Sequence, residues 1–118
     1  MALLDLIPTT IASGTALSAA VLTGEKTVVG FLLDPTAWTA ASLTFQNSVD
    51  GTTYQEVYDD TGTELAYSVA AFNTYIAVDP TLWQGINQFI IRSGTLATPV
   101  NQAAARTINV VVRALPQI

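Results

Sequence analysis

Residues 107–114 constrain the fold more than any other stretch. Ile108, Val110, Val112 and Ala114 fall on one side of an extended chain, and Thr107, Asn109, Val111 and Arg113 fall on the other. Period-two alternation of this kind requires a strand with one face in a core and one largely outside. The rest of the chain agrees. Threonine, valine and isoleucine are abundant, and Gly, Pro and Asp clusters punctuate the sequence at short intervals. That rhythm predicts an all-β sandwich or barrel. No segment predicts a helix of ordinary length. Residues 101–106 read as a helical turn or an extended edge, and residues 94–100 as a loop.

Other strands differ in character. In residues 27–33, Val28 and Leu32 oppose Val29, Phe31 and Leu33 around Gly30, so both faces are apolar. Such a strand is central in its sheet, or its outer face is covered by a partner. Phe89-Ile90-Ile91 reads the same way. Weaker strands are expected near residues 16–22, 65–69 and 74–78. Residues 43–58 read as a hairpin about Asp50-Gly51, a strong turn signal. An even loop places Tyr54 and Tyr58 on the face of Leu43 and Phe45, and an odd loop places Val57 there instead.

Asp34-Pro35-Thr36-Ala37-Trp38 recurs as Asp79-Pro80-Thr81-Leu82-Trp83. Aspartate followed by proline suits an N-cap and a first helical position. Each copy therefore predicts one helical turn carrying a tryptophan across the end of the sandwich. Local turn chemistry used twice, or pseudo-symmetry between two halves, would both produce the echo.

Composition narrows the role. Half of the 118 residues are apolar and only 11% are charged, against roughly 25% in an average soluble domain. No stretch is long enough to cross a membrane. Together these predict a single domain over residues 1–118 whose surface is partly covered by other protein, hence an assembly component. The apolar chain ends carry the same message: residues 1–8 read as a docking arm or a plain first strand, and residues 115–118 as a tail. Residues 1–8 lack a cationic start and are interrupted by Asp5 and Pro8, which makes a poor signal peptide. The net charge is −5, and the only cations are Lys26, Arg92, Arg106 and Arg113. Four dispersed cations make no phosphate-tracking groove, so no nucleic acid is expected as partner.

The sequence offers little for catalysis. Histidine and cysteine are absent, which removes the commonest general base, the commonest metal ligand and thiolate chemistry. A serine or threonine nucleophile would lack an activating base. A carboxylate pair for glycoside hydrolysis cannot be identified by spacing. Asp59-Asp60-Thr61-Gly62-Thr63-Glu64 presents hard oxygen ligands but lacks the alternation of a calcium loop, and reads as a solvated turn. Ser48-Val49-Asp50-Gly51-Thr52-Thr53-Tyr54 is similar to the Asp-box turn of sialidase propellers, without the residue between Asp and Gly. No catalytic residue, metal or cofactor is expected. The aromatics read as core, as protein interface or as a sugar platform.

The run Ser42-Leu43-Thr44-Phe45-Gln46-Asn47-Ser48-Val49-Asp50-Gly51, with Tyr54 and Val57-Tyr58-Asp59, resembles small β-sandwich virion proteins of tailed bacteriophages. Ile91-Arg92-Ser93-Gly94-Thr95, Pro99-Val100-Asn101-Gln102 and the stretch from Ala105-Arg106 to Val112 fit the same pattern. The resemblance runs from about Val28 onward and leaves out the N-terminal arm. It implies a jelly-roll-like fold and a capsid cement or decoration role. In that role the chain would bind the major capsid protein, bridge neighbouring subunits on the outer surface of the virion, and pair with itself as a dimer or trimer after synthesis in the bacterial cytoplasm. A tail, neck or head-fibre module that binds another virion protein or a host glycan is the alternative. Interface candidates are Leu3, Leu4, Leu6, Ile7, Trp38, Trp83, Leu115 and Ile118.

Overall fold

A computed structural model describes residues 4–33, 38–69 and 74–114. Eight strands form two antiparallel four-stranded sheets. The strands are β1 (Asp5–Ile11), β2 (Val21–Leu22), β3 (Lys26–Leu33), β4 (Leu43–Asn47), β5 (Gln55–Glu56), β6 (Tyr75–Ala77), β7 (Gln88–Ser93) and β8 (Arg106–Ala114), with one short helix, α1 (Pro80–Trp83). One sheet has the order β1-β8-β3-β6 and the other β2-β7-β4-β5. The first strand thus pairs with the eighth, the second with the seventh, the third with the sixth and the fourth with the fifth. This is the order obtained by wrapping one long antiparallel hairpin around a core, and it defines a jelly roll.

The core lies between the sheets. Ile108, Val110 and Val112 of β8 face Phe45, Phe89 and Ile91 of the other sheet, all essentially sealed from solvent. The expected alternation of β8 is therefore observed, and β3 and β7 are central in their sheets as their two apolar faces require. An aromatic cluster of Phe31, Phe45, Tyr67, Trp83 and Phe89 fills the middle. Phe45 and Trp83 meet edge to face at 4.9 Å between ring centres, the geometry that aromatic quadrupoles favour. The indole of Trp83 donates to Tyr67 Oη at 3.0 Å, so this buried N–H is satisfied.

Three expectations are corrected or resolved. First, β3 does not alternate simply. Val28 pairs with Val112, but Gly30 pairs with Val111, leaving Val29 as a β-bulge. The extra residue shifts the phase, so Val28 joins Phe31 and Leu33 in the core while Leu32 faces out with Gly30. Second, the hairpin has an odd loop: Gln46 pairs with Glu56 and Asn47 with Gln55. Val57 packs on the core and Tyr58 is exposed. Third, of the two readings of residues 1–8, the described part is the first strand: β1, Asp5–Ile11, pairs along its length with β8. The apolar N-terminus is thus a sheet edge, and Pro8 fits there because an edge strand tolerates a missing N–H.

The second aspartate–proline repeat forms the expected helical turn. Asp79 caps α1, its carboxylate accepting from Thr81 N–H, with proline at the helix start. In the first repeat, residues 34–37 lie outside the described residues. Residues 101–105 contain no helix, and residues 64–67 contribute only isolated bridges.

Candidate interaction surface

The two sheets present different outer faces. On the β2-β7-β4-β5 sheet, register places Thr44 opposite Arg92 and Gln46 opposite Ile90 and Glu56. Arg92 is almost fully buried. Its guanidinium donates to Glu56 Oε2 at 2.7 Å, to Glu64 Oε2 at 3.5 Å and to Thr44 Oγ1 at 3.3 Å. Gln46 Nε2 donates to the same oxygen of Glu56, and the Leu96 amide donates to Glu64. At the far end Gln88 Nε2 donates to Tyr54 Oη at 2.8 Å. The centre of this face is a connected polar network in which one guanidinium serves two carboxylates, and Glu56 Oε1 is buried without a hydrogen-bond partner among the described residues.

A second network closes one end of the sandwich. Gln102 is fully buried. Its oxygen accepts from Thr39 N–H and Arg106 Nε, and its amide donates to Thr39 C=O and Ser93 Oγ. Neither network was apparent from sequence, because its members lie far apart in the chain. The available signal was Arg92 directly after the apolar run Phe89-Ile90-Ile91.

The β1-β8-β3-β6 sheet is different. Leu6 pairs with Val111, Val111 with Gly30 and Gly30 with Ala77. Pro8 pairs with Asn109, Asn109 with Leu32 and Leu32 with Tyr75. These two rows cross the outer face. Val111 is 3% exposed yet is not a member of the core cluster between the sheets. The ring of Tyr75 lies across Gly30, where a Cβ would collide with the phenol. The glycine is thus required by close approach. Leu6 is 55% exposed, Tyr75 49% and Leu4, just before β1, 47%. The face thus mixes apolar side chains with Thr10, Thr27, Thr107 and Asn109, leaves Leu6 and Tyr75 half-exposed on its two opposite edges, and is bordered at one end by Arg113, which is exposed and forms no ion pair among the described residues.

The interface candidates therefore separate. Leu4 and Leu6 lie on or beside this face. Ile7 turns inward and packs on the core. Trp83 is fully buried, so it is a core residue of the isolated chain. Trp38 packs against the core and donates its indole N–H to Ala41 C=O at 3.1 Å. Leu3, Leu115 and Ile118 lie outside the described residues. The two tryptophans form no exposed pair of the kind that a sugar platform needs.

The acidic turns are built as turns. Asp50 Oδ1 accepts from Ser48 Oγ and from the amides of Thr52 and Thr53, with Gly51 at φ +84°. The amides of Thr53 and Thr52, then the Ser48 hydroxyl, hold its carboxyl below the ordinary value of 3.8. Asp59 accepts from the Thr61 hydroxyl and from the amides of Thr61 and Thr63, and is lowered by the Thr61 hydroxyl first and the Thr63 amide second. Burial, only partly offset by the Trp83 contact, raises the Tyr67 phenol. No group of three or more metal-ligating side chains occurs among the described residues.

Comparison with protein-family models, curated proteins and solved structures finds no match to this chain.

Proposed function

We propose that this protein is a structural component of a bacteriophage virion, a cement or decoration protein that seats on the major capsid shell and bridges its subunits. The observation that carries the reading is the apolar outer face of the β1-β8-β3-β6 sheet. The face leaves Leu4 and Leu6 in water along one edge and Tyr75 along the other, and exposed apolar side chains on a sheet offer contacts to a partner. The strand order supports the same reading as an analogy, since jelly rolls recur in capsid and lectin domains, although a fold alone does not fix a function.

The polar side chains favour architecture over chemistry. Glu56 and Glu64 are brought together, but the guanidinium of Arg92 lies between them. Two carboxylates tied to one shared arginine fit a structural ion-pair network, whereas a hydrolase needs one carboxyl free to hand over a proton. A sugar-binding fibre module is less well supported because Trp83 is consumed by the core.

In this role each copy adds buried area at seams of a shell loaded from within, and many copies gain from effective concentration. The test mixes the purified chain with expanded capsids lacking it. Co-sedimentation together with a higher capsid melting temperature is expected. Absence of both would overturn the proposal.

A further inference from the structure

We infer that the Ser48 hydroxyl is a chemical guard: it holds the Asp50-Gly51 turn in a geometry that disfavours closure to a succinimide, and so keeps Asp50 from becoming isoaspartate. The turn needs this guard whatever partner the chain binds.

Asp50 is the only aspartate or asparagine in the chain that is followed by glycine. Glycine has no Cβ to obstruct ring closure, so this peptide is the one most open to attack by its own backbone. In that reaction the Gly51 nitrogen bonds to Asp50 Cγ. The C–OH bond of the protonated carboxyl breaks, and the hydroxyl leaves as water with the amide proton. Water then opens the cyclic imide at either carbonyl. Opening at Cγ restores aspartate. Opening at the main-chain carbonyl leaves isoaspartate, with an extra methylene in the backbone.

The turn opposes each requirement. The Gly51 N–H donates to Ser48 Oγ at 2.8 Å, which holds the peptide plane with its N–H on the serine. Attack on Cγ needs the nitrogen turned into a near-attack position, and that rotation breaks this bond. The same hydroxyl gives its one proton to Asp50 Oδ1 at 3.1 Å. Oδ1 also accepts the amides of Thr52 and Thr53, both at 2.8 Å. Donors of this kind favour the ionised carboxyl, and the Thr53 amide, the Thr52 amide and then Ser48 lower its pKa. A carboxylate has no hydroxyl to release as water. The turn is also pinned to β7: the Ser48 N–H donates to Gln88 C=O at 2.9 Å, and Gln88 Nε2 donates to Tyr54 Oη. Ser48 is 6% exposed, whereas Val49 beside it is 85% exposed. The guard thus lies sealed beneath an exposed tip, where water competes little for its hydroxyl.

The guarded turn matters to the rest of its sheet. Strand β5 meets β4 through only the pairs Gln46 with Glu56 and Asn47 with Gln55. A methylene added at Asp50 lengthens the loop between these strands, and the contact of Glu56 with Arg92 depends on their register.

The experiment ages the folded wild type, its urea-unfolded form, Ser48→Ala and Ser48→Thr in mildly acidic buffer at body temperature. Isoaspartate at Asp50 is counted by peptide mapping and by labelling with an isoaspartyl methyltransferase. Thermal melts first show that the variants are folded. Folded wild type is expected to react far more slowly than the unfolded chain. Ser48→Ala is expected to raise the folded-state rate about fivefold or more, which corresponds to about 1 kcal/mol, the usual net worth of one hydrogen bond. Ser48→Thr keeps the hydroxyl and should stay close to wild type. A folded Ser48→Ala chain that ages no faster than wild type overturns the inference, as does a Ser48→Thr chain that ages as fast as Ser48→Ala. Amide hydrogen exchange of the wild type gives a check without substitutions. Slow exchange at the Gly51 amide is expected, because that hydrogen bond must open first; exchange at the unfolded-chain rate overturns the guard.

Discussion

The two outer faces of this sandwich solve the same problem in opposite ways. The β2-β7-β4-β5 face carries charge inside its surface layer and links it through Arg92, Glu56, Glu64, Gln46 and Thr44, while Leu22 on the same face is 62% exposed. The β1-β8-β3-β6 face carries almost no charge, seals Val111 at its centre and leaves Leu6 and Tyr75 half-exposed at its two edges. The first face is tied together by ion pairs and hydrogen bonds, whereas the second places apolar side chains in water at its edges, which is the feature the proposed role draws on.

This contrast can be broken most severely at Arg92. Arg92→Ala leaves Glu56 and Glu64 without their partner in a largely buried setting, and is expected to cost about 3–5 kcal/mol in urea unfolding. Replacing all three residues by apolar side chains of similar volume should restore most of that loss. If Arg92→Ala is nearly neutral, the network is not the closed structural unit described above.

Gly30→Ala sharpens the other side of the comparison. The new methyl group must displace the Tyr75 ring, which can swing into solvent because it is half exposed. A loss of about 1 kcal/mol is expected, with a much larger relative loss of capsid affinity. Leu6→Asp should change the stability of the free chain by no more than about 0.5 kcal/mol, because the side chain is already mostly in water. A large destabilisation of the free chain would mean that Leu6 is part of a core.

The smallest effect concerns acid. Asp50 and Asp59 have folded-state pKa values below the ordinary 3.8. The unfolded chain therefore takes up protons first as pH falls. The contribution of these turns is complete above about 3.8 and declines as pH drops through the folded values. Asp50→Asn should flatten the pH dependence of unfolding in that window, whereas a substitution on the apolar face should leave its shape unchanged.

Much of the fold was legible because β8 alternates cleanly, because β3 and β7 carry apolar residues on both faces as central strands do, and because aspartate–proline is strong helix-start chemistry. The bulge at Val29 was not. An extra residue leaves no mark on composition, and it reverses the facing of every residue before it relative to those after it. The parity of the hairpin loop was left open by the residues and is fixed by the pairing of Gln46 with Glu56. The first strand was half legible: Leu4 and Leu6 were singled out for their apolar character, but that character alone does not separate an arm from an edge strand. The candidate surface was less legible still. Leu6, Leu32, Val111 and Tyr75 come from four strands, and only the jelly-roll order brings them together. Trp38 and Trp83 attracted notice as rare, large residues, and such residues are as well suited to a core as to an interface.

The central claim is that one face is covered in the assembled particle and the other is not. Hydroxyl-radical footprinting of the chain, free and bound to capsids, tests it directly. The account predicts that labelling of Leu6 and Tyr75 falls sharply on binding while labelling of Tyr58 and Val49 stays the same. Unchanged labelling of Leu6 and Tyr75 in the bound chain, with protection of Tyr58 or Val49 instead, would contradict it.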